Sequence, residues 1–271
     1  MDLDLRKLRY FVAVAEHLGF GRAAQELYIA QPVLSRQIRS LEEELGYPLF
    51  TRTTRRVELT AAGRQLQKEA KRITATVDTA LRRVQEAARG ERRLAVAFSA
   101  GLRVAEAIRE FTAHHPDVGI DVLPLPWSER DAPLRDGRAQ VGYLRRPFDD
   151  TGLRTVPIGH ETKVACLPAT HRLAARRSLT SADLDGEPVL DAKQRRTSSL
   201  EEKFELIASG HGVALVPLSV AGSYVRPELV YLPVTDHPPV ETCLAVPEGS
   251  CTGLAASFLD VATAVLRRTS P

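Results

Sequence analysis

Cysteine is scarce in this 271-residue chain, with three residues at Cys166, Cys243 and Cys251. Their spacing matches none of the paired patterns of a zinc site, and three are too few for a disulfide framework. No metal is expected, and a reducing, cytoplasmic compartment fits. Long apolar runs are also lacking. None approaches the roughly 20 residues that a membrane span needs, and the N-terminus shows no basic-then-apolar secretion signal. The seven histidines are scattered, with no His-Glu-x-x-His, no Gly-x-Ser-x-Gly and no nucleophile beside an ordered base. An enzyme is therefore the weaker reading. Neither a phosphate loop nor a dinucleotide fingerprint is present, so no cofactor is expected.

What is present is an ordinary globular composition, 44% hydrophobic and 26% charged, long enough for two or three domains. The formal charge of +3 hides an asymmetry. Up to residue 93 there are 18 Lys and Arg against 12 Asp and Glu, which leaves the remainder at −3. A polyanion partner for the N-terminal third follows, with a solvated basic surface as the plainer alternative.

Leu5, Leu8, Phe11, Val12 and Ala15 fall at helical spacing and predict a helix over 4–17, ended by Gly19. A short second helix is read from Arg22 to Tyr28, where Ala23 and Ala24 let another helix pack closely. A third begins near Pro32, carries an apolar stripe of Leu34, Ile38, Leu41 and Leu45, and stops at Gly46 and Pro48. Opposite that stripe lie Pro32, Ser35, Arg36, Arg39 and Glu43, with Gln31 at the N-terminal tip. Arg grips guanine bidentately, Gln reads adenine, and Ser takes bases or phosphate, so this face suits a major groove. A solvated polar face is the alternative. Residues 49–52 and 56–60 then read as two short strands, and their basic hairpin would form a wing meeting phosphates or the minor groove.

The run Leu8-Arg9-Tyr10-Phe11, Arg22-Ala23-Ala24, Gln31-Pro32-Val33-Leu34-Ser35-Arg36-Gln37-Ile38, Leu41-Glu42, Leu45-Gly46, Leu49-Phe50, Arg52 and Leu59-Thr60-Ala61-Ala62-Gly63 resembles the N-terminal signature of LysR-type transcriptional regulators. The resemblance implies that Gln31, Pro32, Ser35 and Arg36 face bases, and that Arg52, Thr53, Arg55 and Arg56 serve the wing. It implies double-stranded DNA carrying an interrupted inverted repeat, and assembly as a homodimer or tetramer. RNA polymerase is a further implied partner. Gly21 and Ala30 stand where the family often caps its second and third helices with Ser or Thr, and Thr54 replaces a common turn glycine.

From Thr60 to Gly90 the chain reads as one helix. Leu66, Ala70, Ile73, Val77, Ala80, Val84 and Ala87 alternate steps of four and three, the period of a coiled-coil seam. A dimer interface is expected, with packing on the chain's own C-terminal domain as the alternative.

Beyond Gly90 strands and helices alternate, an α/β pattern. Strands are read at 94–98, 118–123, 141–144, 163–167, 187–190 and 213–216, and helices at 104–114, 200–209 and 254–266. The runs Phe111, His115-Pro116-Asp117-Val118 and Ile207-Ala208, Gly210, Gly212-Val213-Ala214-Leu215-Val216-Pro217 are similar to the family's effector-binding domain, two lobes like a periplasmic solute-binding protein. The expected fold is thus α+β and multidomain: a winged helix-turn-helix over 1–60, a linker helix over 61–90, and a two-lobed domain over 91–271. Lobe I takes 91–160 and 248–271, and lobe II takes 161–247. Gln140 replaces a usual acidic residue, and between Leu190 and Ser198 about 30 residues of longer relatives are missing, which predicts a reduced second lobe.

A small-molecule effector is expected between the lobes, with Ser99, Gly101, Trp127, Ser128, Arg145, Phe148, Ser198 and Ser199 as candidates. Each has a plainer role: Ser99 and Ser199 as helix caps, Trp127 in a core, Arg145 or Arg146 in solvent. An arginine beside two helix N-termini favours a carboxylate or phosphate, whereas Trp127 with Phe148 favours a flat or aromatic ligand. A thiol redox sensor is the competing regulator, with Cys166 and Cys243 in apolar strand patterns and Cys251 among small residues.

Overall fold

The computed structural model describes residues 3–52, 56–126, 130–190, 197, 199–250 and 253–269. The chain divides into two compact units, Met1–Gln85 and Glu86–Pro271.

The first unit packs three helices, α1 (Leu5–His17), α2 (Phe20–Glu26) and α3 (Gln31–Leu45), against a hairpin of β1 (Phe50–Arg52) and β2 (Val57–Leu59) and the start of α4 (Ala61–Ala88). Leu8, Phe11, Ala23, Leu34, Ile38, Leu41 and Leu49 form its core. Asp4 caps α1, accepting from Arg6 N at 2.7 Å. The second helix starts two residues earlier than the sequence reading, with Gly19 as its N-cap, so Gly21 is an interior position rather than a cap. A non-glycine residue in the left-handed region, Tyr28 (φ 53°), makes the tight turn into α3.

Ala30 caps α3 with no side-chain oxygen, and its backbone is extended (φ −69°, ψ 133°), the conformation an N-cap serine adopts. Ala30→Ser should therefore raise the unfolding free energy of this unit by about 1 kcal/mol. An unchanged urea midpoint would show that the first turn gains nothing from a cap.

Thr60 caps α4, its Oγ1 accepting from Gly63 N at 2.9 Å. The helix runs 28 residues, roughly 42 Å. Two of its heptad positions do not face a partner: Ala70 is fully buried in the winged-helix core and Leu66 packs against it. Domain packing and dimer packing share one helical period, so spacing alone could not separate them. Farther along, Ile73, Ala80 and Val84 are exposed, and so is Leu81, while Val77 is half-buried.

The second unit holds two sheets. The first runs β4-β3-β5-β10-β6, built from β3 (Arg92–Ser99), β4 (Val118–Leu125), β5 (Val141–Arg145), β6 (Leu153–Glu161) and β10 (Val240–Pro247). β3 is parallel to β4 and β5, and β10 pairs antiparallel between β5 and β6. One face is covered by α5 (Ala105–His114) and α9 (Leu254–Thr269), where Phe111 meets Phe258 at 5.3 Å between ring centroids beside Tyr143. The other carries α6 (Ala132–Arg135) and a small-residue core of Ala95, Ala97, Leu134 and Cys243. Gln140 fits here as an amide: its Oε1 accepts from Ala95 N at 2.7 Å and its own N–H donates to Ala95 O.

The second sheet has three strands among the described residues, with β7 (Lys163–Pro168) between β8 (Ala214–Pro217) and β9 (Leu229–Pro233), both antiparallel to it. α7 (Leu200–Ala208) and α8 (Leu218–Ser223) cover it through Phe204, Ile207 and Val220. The segment 187–190 contributes only an isolated bridge, Val189 to Val213, instead of a strand. β10 returns to the first sheet, so 240–247 belongs to lobe I and not to lobe II as its position in the sequence suggested.

Candidate DNA-reading face and effector cleft

The apolar stripe of α3 turns Leu34, Ile38 and Leu41 inward and leaves Gln31, Pro32, Arg36 and Arg39 exposed, with Ser35 half-buried. Among the described residues neither Arg36 nor Arg39 has an ion-pair or hydrogen-bond partner. Both guanidiniums therefore keep their N–H donors free, among the described residues, on the exposed face of α3, roughly one and two turns beyond its uncapped start, a chemistry suited to base edges and phosphates. Tyr28, 96% exposed, adjoins that start.

The wing is braced from behind. Glu42 of α3 accepts from Leu49 N at 2.9 Å, Phe50 N at 3.1 Å and Arg52 at 2.8 Å. The Arg52 guanidinium also lies over the Phe20 ring, 4.7 Å from its centroid. Arg52 thus fastens the hairpin to α2 and α3, a structural task that spacing alone could not reveal. Arg56 is exposed on the second strand's approach, while Thr53 and Arg55 lie outside the described residues.

Between the two sheets of the second unit a cleft of ≈ 110 Å³ is lined by Ser99, Ala100, Leu125, Pro126, Arg130, Arg145, Arg146, Pro147, Lys163, Pro217 and Val240. Of the residues expected there, Ser99 and Arg145 line it. Trp127, Ser128 and Ser198 lie outside the described residues. Ser199 caps α7, accepting from Glu202 N at 3.1 Å, and Phe148 packs against the small-residue core beneath Arg146. Gly101 serves contact between the lobes: with φ +83°, its place for a Cβ lies 2.5 Å from Ser219 Oγ and 2.7 Å from Val220 N. Arg145 is neither solvated nor free. Its three nitrogens donate to Glu161 Oε2, Ala100 O and Ser219 Oγ, each at 2.7 Å, and Glu161 Oε1 accepts from Ser219 N at 2.6 Å. This buried cluster ties the first lobe to α8 of the second. Arg130 and Lys163 escaped the sequence reading, because nothing local marks them; they sit where the chain leaves β4 and where it enters the second sheet.

The two described cysteines are poor redox sensors. Both are fully buried, and burial pushes the Cys166 thiol up to about 12 and the Cys243 thiol up to about 11. Reactive cysteines need an accessible thiolate. Iodoacetamide at pH 8 should leave both unmodified in the folded protein and alkylate both in guanidinium. Native-state alkylation of either would revive the redox reading. Cys251 lies outside the described residues.

Comparison with known proteins agrees with this geometry. The family model described as "Bacterial regulatory helix-turn-helix protein, lysR family" matches residues 5–64, and that described as "LysR substrate binding domain" matches residues 85–196. The HTH-type transcriptional regulator AlsR of Bacillus subtilis is 35% identical over 206 residues, 74% of this chain and 68% of AlsR. The chain belongs to the LysR family. YnfL of Escherichia coli, an HTH-type transcriptional regulator, is 39% identical over 193 residues, 69% of this chain. The chain spans about two thirds of the length of these curated relatives, 65% for YnfL and 68% for AlsR. Both relatives are described as HTH-type transcriptional regulators. Among solved structures the LysR family regulator CbnR superposes with a TM-score of 0.60 at 23% identity, covering 99% of this chain and 100% of CbnR, a likeness of fold. Among the described residues no helix is long and apolar enough to cross a membrane.

Proposed function

We propose that this LysR-family chain is a sequence-specific transcription regulator that binds double-stranded DNA through α3 and its wing, pairs along α4, and responds to a small molecule held between its two α/β lobes. The observation that carries the reading is the exposed face of α3, which gathers Gln31, Pro32, Ser35, Arg36 and Arg39, the two arginines without a side-chain partner among the described residues. Arg56, Thr53 and Arg55 would supply phosphate contacts from the wing, and Arg52 would hold the wing in place.

The division into winged helix-turn-helix (1–60), linker (61–90) and effector domain (91–271) belongs to the same proposal. The pairing seam would begin at Ile73, after the two heptad positions used by the core, and continue through Val77, Ala80, Leu81 and Val84. A homodimer of that kind reads an interrupted inverted repeat. The LysR substrate binding match ends at residue 196, next to the stretch between Leu190 and Ser198 where the sequence suggests a shortened second lobe, and this end point supports that reading.

Selection from a random duplex library tests the reading. The full chain should enrich two inverted half-sites at fixed spacing, and Ile73→Asp, which puts a charge into the seam, should lose the preference for paired half-sites. Recovery of no sequence, or of a single unpaired half-site by the parent, would overturn it.

A further inference from the structure

The cleft wall carries four cations, two of which are already neutralised. Arg145 pairs with Glu161 at 2.7 Å, and Arg146 pairs with Asp150 at 2.9 Å and Glu241 at 3.3 Å. The other two face the cleft from opposite lobes. Arg130 follows β4 of the first, and Lys163 opens β7 of the second. Among the described residues Arg130 donates only to the Pro147 carbonyl, and Lys163 has no acidic partner. Burial, and then the positive charge of Arg130, hold the Lys163 ammonium below its ordinary range. Two like charges converging on a half-dry gap repel each other, and an anion between them turns that repulsion into attraction.

The remaining wall is largely apolar, with Leu125, Pro126, Pro147, Pro217 and Val240. An inorganic anion would leave that surface unused. Volume bounds the ligand as well: an apolar cavity of about 150 Å³ takes up benzene, so ≈ 110 Å³ fits a body of that size or slightly smaller.

We propose that the effector is a small monocarboxylate whose carboxylate bridges Lys163 Nζ and the Arg130 guanidinium while its hydrocarbon part lies against Leu125, Pro217 and Val240. This rests on the reading of the cleft as the effector site. Because the two cations belong to different lobes, the ligand draws the lobes together on that side. The Arg145, Glu161 and Ser219 cluster, which already joins the lobes, serves as the pivot.

Calorimetry and thermal shifts on the full chain test this with butyrate, hexanoate and benzoate, each matched by its primary amide, and with inorganic phosphate. At least one acid should bind at least tenfold tighter than its amide and than phosphate. Lys163→Met should cost that acid tenfold or more, and Lys163→Arg should restore it. The unliganded Lys163→Met protein should melt no lower than the parent, since one of two repelling charges is gone. An amide binding as tightly as its acid, phosphate matching the acid, or an unaffected Lys163→Met would overturn the proposal. If no acid binds but neutral metabolites do, and Ser99→Trp abolishes their binding, the carboxylate class fails and the effector cleft stands. If nothing in a broad metabolite screen shifts the melting transition, both fail.

Discussion

Replacing Glu161 by alanine should lower the stability of the effector domain by about 3–5 kcal/mol, the cost of leaving a buried charge without its partner. The Arg145 and Glu161 side chains are 7% and 12% exposed, and once the carboxylate is gone the cation keeps only the neutral acceptors Ala100 O and Ser219 Oγ. Ser219 N–H loses its acceptor at the same time. Urea unfolding of the full chain, followed by circular dichroism, would show an early transition for this domain. The double variant Arg145→Met, Glu161→Met should recover more than half of the loss, because two apolar groups of similar volume carry no stranded charge. A loss below about 1 kcal/mol for Glu161→Ala would mean that the cluster is no more than a surface ion pair.

The second large effect is expected at Gly63, and its sign separates two arguments. In an ordinary helix Gly→Ala gains about 1 kcal/mol from propensity. Here a Cβ would stand 2.1 Å from Leu49 O and 2.9 Å from Leu59 Cδ2. Leu49 O also accepts from Thr60 N at 3.0 Å, and Thr60 Oγ1 caps α4 through Gly63 N. Moving the helix away to admit a methyl group breaks both bonds and lifts α4 from the hairpin. Gly63→Ala should therefore destabilise the winged-helix unit by about 3 kcal/mol, the upper end of overpacking costs. A gain in stability would show that this approach is looser than described.

The first unit was largely legible because its signals are local. Gly19, Gly46 and Pro48 punctuate helices whose apolar period is unbroken, and Thr60 caps the long helix in the expected place. The errors came where one pattern serves two ends. Leu66 and Ala70 continue the heptad spacing yet fill their own domain's core. Arg52 reads like a phosphate ligand yet is held by Glu42 and Phe20. In the second unit strand order depends on distant pairing. β10 lies late in the chain but closes the first sheet between β5 and β6, so its lobe could not be read from position. The cleft was least legible of all. Arg145 meets Ala100 and Ser219, respectively 45 and 74 residues away, and Lys163 joins Arg130 only because the chain changes sheets at Thr162. Ser199 reads equally well as cap or ligand, and in the folded chain it caps.

The interlobe contacts also give effector binding a physical route. Gly101 against Ser219 and the Arg145 cluster hold the two lobes together, while Arg130 and Lys163 leave the cleft wall electrostatically unsettled. A ligand that binds one spacing of the lobes better than another shifts the population of lobe arrangements by its difference in affinity.

The most direct test of the central claim is the operator affinity of Arg36→Ala, measured by fluorescence anisotropy on the selected duplex and on single-base variants of it. Arg36→Ala should weaken specific binding by about 1–3 kcal/mol and lose discrimination at one base pair in each half-site, while retaining its affinity for unrelated duplex. Unchanged operator affinity and unchanged discrimination would contradict the assignment of α3 as the DNA-reading helix.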